Sequence, residues 1–100
     1  MTFWKMKQGF VYILANERLV LYVGVTNNLI RRVYEHKNNF DVKSFTAKYA
    51  IHKLVYYEIL PNMELAIIRE KQIKDMNRGG KLKLIYSKNS NFEDLYDTII

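Results

Sequence analysis

The sequence contains no cysteine and only one proline among its 100 residues. Without cysteine the chain can have no disulfide framework, thiolate metal site or thiol nucleophile, and a cytoplasmic location is compatible with this composition. No apolar stretch approaches the roughly 20 residues that a membrane span requires. Residues 1–7, which include Trp4 and two lysines, lack the apolar centre of a signal peptide. These absences argue against a disulfide-stapled secreted scaffold and against a membrane protein.

Acidic residues are outnumbered by basic ones, 10 against 16, which gives a net charge of +6. Most of the basic side chains fall in residues 31–53 and 69–88, whereas the segment after residue 89 carries acidic residues alone. A basic body favours a polyanionic partner such as DNA or RNA. Lysine-rich solvated faces also occur in proteins that bind no nucleic acid, so charge alone leaves both interpretations open.

The length and composition predict one domain over residues 1–100. Hydrophobic residues make up 49% of the chain and aromatic residues 14%, which suffices for a modest single core. A second folded domain, such as a separate recognition module, is not expected.

Two short runs rich in β-branched and aromatic residues, at 10–13 and 21–24, flank a polar segment and predict a β-hairpin. Side chains on a strand point alternately to opposite faces. Tyr22 and Gly24 therefore share one face of the second strand. Pairing around the turn is expected to bring Tyr12 of the first strand and Tyr22 onto one surface.

A helix is predicted from residue 29 to about 38, with its N-cap in residues 26–28. At 100° per residue, Arg32 and His36 lie along the edge of its apolar stripe, from which they can reach the sheet. Arg31 falls on the opposite, solvated side. Helical geometry thus selects Arg32 over its neighbour as a candidate functional residue.

The remaining chain is divided by polar and helix-breaking residues. We expect a loop, a strand, two helices and a short helical turn, at residues 38–48, 52–60, 62–76, 81–88 and within 89–100. Pro61 should end the strand, Asn62 should cap the next helix, and Gly79 with Gly80 should break the chain. The order β-β-α-β-α-α predicts an α+β fold, a small three-stranded antiparallel sheet with helices packed on it.

The helix at residues 62–76 carries two charged residues close to its apolar stripe. The stripe is expected to comprise Leu65, Ala66, Ile68, Ile73 and Met76. Glu70 lies at its margin, where a partly desolvated carboxylate favours a metal ion or a cationic partner. Arg69 lies within the stripe, so it should be buried with a partner or reach past the helix to a phosphate.

Taken together, these motifs resemble the GIY-YIG nuclease superfamily. Phe10-Val11-Tyr12 stands in place of the first triplet and Tyr22-Val23-Gly24 in place of the second, and Arg32 and His36 follow at the family spacing. The sequence Arg69-Glu70-Lys71-Gln72 resembles the helix that carries the metal-binding glutamate. The likeness covers nearly the whole chain and is greatest to the small stand-alone bacterial members.

This resemblance implies a nuclease that hydrolyses phosphodiester bonds with one Mg²⁺ or Mn²⁺, and DNA is preferred over RNA as the expected substrate. It makes Glu70 the metal ligand and Arg32 a fixed positive charge for the phosphate. Tyr12 or Tyr22 would orient or deprotonate the attacking water. His36 would take a proton from a tyrosine or stabilise its phenolate, and the sequence does not separate these alternatives.

Further residues are implied to bind the substrate: Gly24, Thr26, Lys48, Tyr49, Arg69 and Asn89. Thr26 would cap the first helix or contact phosphate, and Tyr49 would stack on a base or begin the core of the next strand. Asn91 competes with Asn89 for the late asparagine of the family, and Asn89 is preferred. Val25 stands where several members carry lysine, so another cation must assist the phenol.

Each of these residues also has an ordinary structural explanation. The tyrosines would serve as strand aromatics, His36 as a surface residue, and Glu70 as the partner of Lys74 four residues on. The sequence predicts a monomeric enzyme without a recognition domain. Its target would be chosen by nucleic-acid structure, as in repair or recombination, or by a protein partner. The alternatives are a weakly active or non-catalytic nucleic-acid-binding module and a small interaction protein.

Overall fold

The computed structural model describes residues 8–100; the signal-peptide argument concerns residues 1–7, which lie outside this range. The chain forms three strands and five helices within it: β1 (Gly9–Ala15), β2 (Leu21–Thr26), α1 (Leu29–Lys37), α2 (Phe45–Lys48), β3 (Lys53–Leu60), α3 (Met63–Lys74), α4 (Arg78–Lys88) and α5 (Tyr96–Ile99). The α+β class and the predicted order of the main elements are confirmed. None of the helices in residues 8–100 has the length and apolarity needed to cross a membrane.

The three strands form one antiparallel sheet in the order β2-β1-β3. The predicted hairpin joins β1 to β2, and β1 lies at the centre with both of its edges paired. In this register Tyr12 stands opposite Gly24 on β2 and opposite Tyr57 on β3. Every neighbour of Tyr12 along the sheet is thereby fixed by backbone hydrogen bonds.

The sheet separates two hydrophobic cores, because alternate residues of β1 point to opposite faces. Val11, Ile13 and Ala15 face α3 and α4, where they pack with buried residues such as Ile73 and Ile85. The other core contains Tyr12 and Leu14 of β1, Leu29 and Val33 of α1, and residues of the C-terminal segment. Since both faces of β1 are covered, its sequence is almost continuously apolar.

The expected buried stripe of α3 is wrong at two positions. Ala66 and Ile73 are buried and Met76 packs against the same core, but Leu65 is 43% exposed and Ile68 is 49% exposed. At 100° per residue these two side chains lie about 100° and 160° away from the direction of Ala66. The helix meets the sheet along the small Ala66, which turns the larger Leu65 and Ile68 toward solvent.

Two further local expectations are wrong. Residues 38–48 are not loop throughout, because Ser44 caps the short helix α2 by accepting a hydrogen bond from the Ala47 amide. Gly79 and Gly80 do not break the chain but lie in the first turn of α4, where Asn77 is the N-cap and accepts from the Gly80 amide. This capping bond stabilises the first turn of α4, so the helix includes both glycines.

The two glycines Gly9 and Gly79 should respond oppositely to the same substitution. A Cβ on Gly9 would lie 2.5 Å from Cβ of Ala66, so Gly9→Ala should force α3 off the sheet and lower the free energy of unfolding by about 1–3 kcal/mol. At Gly79 the nearest atom is 3.6 Å away, so Gly79→Ala should raise it by about 0.5–1 kcal/mol. Urea denaturation of both variants checks this. Equal shifts for the two would contradict the close packing at Gly9.

Candidate active site

Three rings from three elements form the centre of the site. The ring centroids of Tyr12 on β1 and Tyr22 on β2 are 6.3 Å apart, and the His36 ring of α1 lies 5.8 Å from the first and 5.5 Å from the second. The predicted common surface for the two phenols is therefore present. Tyr12 is almost entirely buried, whereas Tyr22 is partly exposed. The Tyr12 phenol is thus held inside the fold, while the Tyr22 phenol lies at the solvent-accessible entrance of the site.

Gly24 provides the space through which the Tyr12 side chain passes. A Cβ built on Gly24 would lie 2.3 Å from the Tyr12 hydroxyl oxygen and 2.4 Å from the ring carbon that bears it. No glycine among the described residues has a positive φ, so conformational freedom does not explain the choice of residue. The requirement is for volume, because any side chain at this position would displace the phenol.

His36 is buried, with a hydrogen-bond partner at each ring nitrogen. Its Nε2 lies 3.0 Å from the Tyr12 hydroxyl, and its Nδ1 lies 2.8 Å from Oγ1 of Thr46, which is itself buried on α2. Burial lowers the pKa of His36 to about 4, with help from the positive charge of Arg32 and from His52, while Glu35 opposes the shift. The imidazole is therefore neutral at neutral pH. The alternative of a surface histidine is excluded.

Burial also governs Tyr12. It raises the pKa of this phenol well above its usual range, and the neighbouring Tyr22 adds to the effect. The positive charge of Arg32 lowers the pKa of the phenol but does not outweigh burial. The phenol is thus protonated in the free protein. To accept a proton from water it must give up its own, and His36 Nε2 is placed to receive it.

Arg32 is anchored by a carboxylate that the sequence did not assign to it. Its Nη1 donates to Oε1 of Glu35 at 3.0 Å, while the expected pair between Arg31 and Glu35 is longer, at 3.9 Å. The Arg32 side chain stays 42% exposed. The guanidinium is thus fixed at one nitrogen and open to solvent at others. The spacing of three residues between Arg32 and Glu35 was the available signal.

Glu70 approaches the phenols from α3. Its side chain is only 13% exposed, and its Oε2 lies 2.9 Å from Nζ of Lys74, so the ordinary pairing considered from the sequence is formed. Its charge nevertheless contributes to raising the pKa of Tyr12, which places the carboxylate within electrostatic reach of that hydroxyl. Residues 8–100 contain no cluster of three potential metal ligands. A cation here would need phosphate oxygens and water to complete its shell, which is the manner in which Mg²⁺ usually binds.

Aromatic rings continue outward from Tyr22 along α2. The ring centroid of Phe45 lies 6.4 Å from that of Tyr22, in a stacked arrangement, and 4.7 Å from that of Tyr49, in a tilted one. Nζ of Lys48 lies 5.5 Å from the centroid of the Tyr49 ring. Phe45 and Tyr49 are both nearly half exposed, so Tyr49 does not begin the core of β3. Sequence reasoning missed Phe45 and Thr46 because it treated this segment as loop. The helix-capping serine that precedes them was the signal.

Arg69 is held by a partner on β3. Its Nε and Nη2 each donate at 2.9 Å to the carboxylate of Glu58, to which the Tyr56 hydroxyl also donates. Burial by itself would raise the pKa of Glu58, but the bonds from Arg69 and Tyr56 hold it below its usual range. Of the two alternatives expected for Arg69, the partner within the protein is present, although the side chain is only partly buried, with 28% exposed.

Asn89, like Arg69, is hydrogen-bonded to a residue of β3. Its amide nitrogen donates to the carbonyl oxygens of Val55 and Glu93, at 3.0 and 2.8 Å, and its oxygen accepts from the Glu93 amide. Thr26 lies at the start of α1, where its hydroxyl accepts from the amide of Asn28, the residue that caps the helix. All of these polar atoms already have partners within the protein.

The candidate residues thus divide into two groups. The structure brings together Tyr12, Tyr22, Gly24, Arg32 and His36, with Glu70 in reach of the phenols and with Lys48 and Tyr49 beside them. Arg69 and Asn89 are hydrogen-bonded to groups of β3, and Thr26 lies at the start of α1.

Comparison with known proteins agrees with this geometry. The family model described as the GIY-YIG catalytic domain matches residues 8–83. The chain belongs to the GIY-YIG family. A UPF0213 protein of Clostridium perfringens is 41% identical over 86 residues, which are 86% of this chain and 91% of that protein. A UPF0213 protein of Syntrophus aciditrophicus is 36% identical over 80% of this chain and 92% of its own length.

A solved structure shows the same architecture. The solution NMR structure of a UPF0213 protein from Bacillus halodurans superposes with a TM-score of 0.56 at 26% identity, covering 87% of this chain and 92% of that one. The resemblance to small stand-alone GIY-YIG proteins is therefore confirmed. Membership of this nuclease family implies nucleic acid as the substrate, while the names of these relatives specify no target.

The buried His36 should make folding stability depend on pH. Its pKa of about 4 in the folded protein lies below the ordinary 6.5, so the unfolded chain binds more protons between these values. Stability should therefore fall as the pH falls from 6.5 to 4, by up to about 3 kcal/mol. Urea denaturation over this range, with His36→Gln as the comparison, measures the slope. The same slope in both proteins would contradict the assignment.

The two candidate asparagines should differ sharply in their effect on stability. Asn89→Ala removes three buried or partly buried hydrogen bonds and leaves carbonyl groups without partners, which should lower the free energy of unfolding by about 2 kcal/mol. Asn91 is exposed, so Asn91→Ala should change it by less than about 0.5 kcal/mol. Thermal denaturation distinguishes them, and similar melting temperatures would show that the Asn89 bonds add nothing.

Proposed function

We propose that this protein is a metal-dependent endonuclease that hydrolyses phosphodiester bonds in DNA or RNA with one Mg²⁺ or Mn²⁺. The observation that carries the proposal is the contact of the buried Tyr12 hydroxyl with His36 Nε2, formed beside a half-exposed Arg32. A phenol, a proton acceptor behind it and a fixed positive charge are the groups that water activation at a phosphate requires.

In the proposed reaction, Tyr12 takes a proton from the attacking water while its own hydroxyl proton moves to Nε2 of His36. The water oxygen forms a bond to phosphorus, the bond from phosphorus to the leaving oxygen breaks, and that oxygen takes a proton from solvent. A neutral imidazole is needed for this transfer, and burial supplies one at neutral pH. Tyr22, at the mouth of the site, is assigned to positioning the water or the phosphate.

Arg32 is assigned to the phosphate oxygens, where negative charge grows in the transition state. A guanidinium has five N–H donors, and Glu35 engages only Nη1. The ion pair with Glu35 orients the guanidinium and leaves its other N–H groups able to donate to a phosphate. A charge that is already oriented stabilises the transition state without reorganisation at the moment of reaction.

Glu70 is the residue that would hold the metal, together with phosphate oxygens and water. Its donor set fits such a site, since one or two carboxylates with substrate phosphates suffice for Mg²⁺. Lys74, whose side chain is 53% exposed, would have to leave the Glu70 carboxylate. When bound, the cation would polarise the phosphate and offset its charge.

Substrate binding is proposed for the rings and the lysine next to the phenols. Phe45 and Tyr49 expose their faces, on which bases can stack, and Lys48 brings a positive charge to the same place. Gly24 contributes by leaving room for Tyr12. Contributions of Thr26, Arg69 and Asn89 to substrate binding stay predictions, as do the preference for DNA, the monomeric state, a specificity-giving protein partner and a cytoplasmic location.

A second candidate function is a nucleic-acid-binding module without catalysis. The observation that favours it is the Glu70–Lys74 ion pair at 2.9 Å, which occupies the carboxylate that a metal needs. The two functions differ in their metal requirement. A module of this kind would bind with strong salt dependence and would need no divalent ion.

Cleavage of labelled single-stranded, duplex, flapped and branched DNA and RNA, in Mg²⁺ and in Mn²⁺, tests the proposal. Glu70→Gln should reduce cleavage at least about 100-fold, because the metal loses its protein ligand. Glu64→Gln makes the same change of charge at an exposed position of α3 and should leave the rate unchanged. Thermal melting confirms that both variants are folded.

The outcomes separate the alternatives. Metal-dependent cleavage that Glu70→Gln abolishes supports the endonuclease and identifies its substrate. A wild-type protein that binds these probes and cuts none of them would establish the binding module instead. Equal cleavage by wild type and Glu70→Gln would show that Glu70 is not the metal ligand.

A further inference from the structure

We infer that Thr46 is a positioning residue, which sets the tautomer of His36 and thereby makes Nε2 the acceptor of the Tyr12 hydroxyl proton. Thr46 lies on the short helix α2, outside the motifs that carry the family resemblance. Its relevance to catalysis rests on the proposed function, whereas the tautomer itself is a property of the folded protein and is measurable without substrate.

The geometry leaves His36 one partner at each ring nitrogen, the Tyr12 hydroxyl at Nε2 and the Thr46 hydroxyl at Nδ1. A neutral imidazole has one N–H group and one lone pair, so one nitrogen donates and the other accepts. Because both neighbours are hydroxyl groups that can donate or accept, the two distances alone permit either tautomer. The choice depends on where the hydroxyl protons can go.

His36 Nε2 is the one hydrogen-bond partner that the structure gives the Tyr12 hydroxyl among residues 8–100. The guanidinium of Arg32 lies within electrostatic reach of this hydroxyl, and it has donors only. If Nε2 carried the proton, the buried Tyr12 hydroxyl would have no acceptor within the described protein. Both buried protons have acceptors when Tyr12 donates to Nε2 and the imidazole donates from Nδ1 to Thr46, and this arrangement needs the Thr46 hydroxyl as the second acceptor.

The Thr46 hydroxyl can accept a hydrogen bond from Nδ1–H because it has an acceptor for its own proton. Its Oγ1 lies 3.1 Å from Oγ of Ser44, which also accepts from the Ala47 amide as the N-cap of α2. The chain of donors then runs from Tyr12 to His36, from His36 to Thr46 and from Thr46 to Ser44. Ser44 borders a cavity of about 220 Å³ that it shares with Arg32 and Asp41, so the chain ends where solvent can enter.

Each group in this chain has the partner that its chemistry requires. Thr46 is 2% exposed, so its hydroxyl is held inside the fold, where it faces Nδ1 of His36. The orientation is set by the cap of a one-turn helix. The segment between α1 and β3 therefore does more than connect the two elements, because its hydroxyl groups orient the imidazole that accepts the proton.

Nitrogen-15 NMR of the histidine rings tests the tautomer directly. In the wild type at neutral pH, the N–H group of His36 should be on Nδ1, and His52→Gln removes the signals of the second histidine. Thr46→Val replaces the acceptor by a methyl group and should shift the proton to Nε2. Thr46→Ser retains the hydroxyl and should restore Nδ1–H. Thr98→Val makes the same change on α5 and should have no effect.

The kinetic consequence is measured on the cleaved substrate. Thr46→Val should lower kcat roughly 10- to 100-fold and leave KM unchanged, because the substrate contacts remain while the proton acceptor is lost. Thr46→Ser should recover most of the rate. If Thr46 served only for packing, Thr46→Val would not change the tautomer of His36 together with kcat, and Thr46→Ser would not restore both.

The proposal is overturned if wild-type His36 carries its proton on Nε2, a result that requires no variant and no activity. It is also overturned if Thr46→Val keeps Nδ1–H. An Nδ1 proton in the wild type that moves in Thr46→Val supports it, whether or not the protein cuts nucleic acid. Absence of cleavage by the wild type would instead count against the proposed function.

Discussion

The hydrogen bond between the Tyr12 hydroxyl and His36 Nε2 is the contact on which the site depends. It joins the central strand to α1, and it exists only because Gly24 leaves space for the phenol to cross β2. The bond also determines the chemistry. A buried phenol with a raised pKa is inert as a base unless a second group can take its proton, and a buried neutral imidazole is such a group.

Charge is arranged around this neutral pair. Arg32 lies beside the phenol and is fixed by Glu35, and Glu70 reaches the same region from the opposite layer of the fold. Burial lowers the pKa of His36, the positive charge of Arg32 adds to the effect, and the imidazole is unprotonated in the free protein. A bound phosphate would add negative charge next to Arg32 and so make a proton on the imidazole less unfavourable. Substrate binding and proton transfer would in this way be coupled electrostatically.

The sequence was most informative where a residue's position follows from local periodicity. Strand alternation correctly placed Tyr12 and Tyr22 on one face, and the helical angle selected Arg32 and His36. Prediction failed where packing decides between equivalent local choices. Leu65 is as apolar as the buried residues of α3, yet it is exposed because the helix approaches the sheet along Ala66. The one-turn α2 was missed because so short a helix depends on tertiary contacts.

By itself the sequence determined the order of the main elements, the family and the central set of candidate residues, because these depend on spacing along the chain. Only the tertiary structure decided what each side chain contacts. In the folded protein Arg69 is bonded to Glu58, Asn89 to the backbone of β3, and Thr46 to Nδ1 of His36. These partners are 10 or more residues apart, and the distances between them are set by how the sheet and helices pack, which periodicity does not encode.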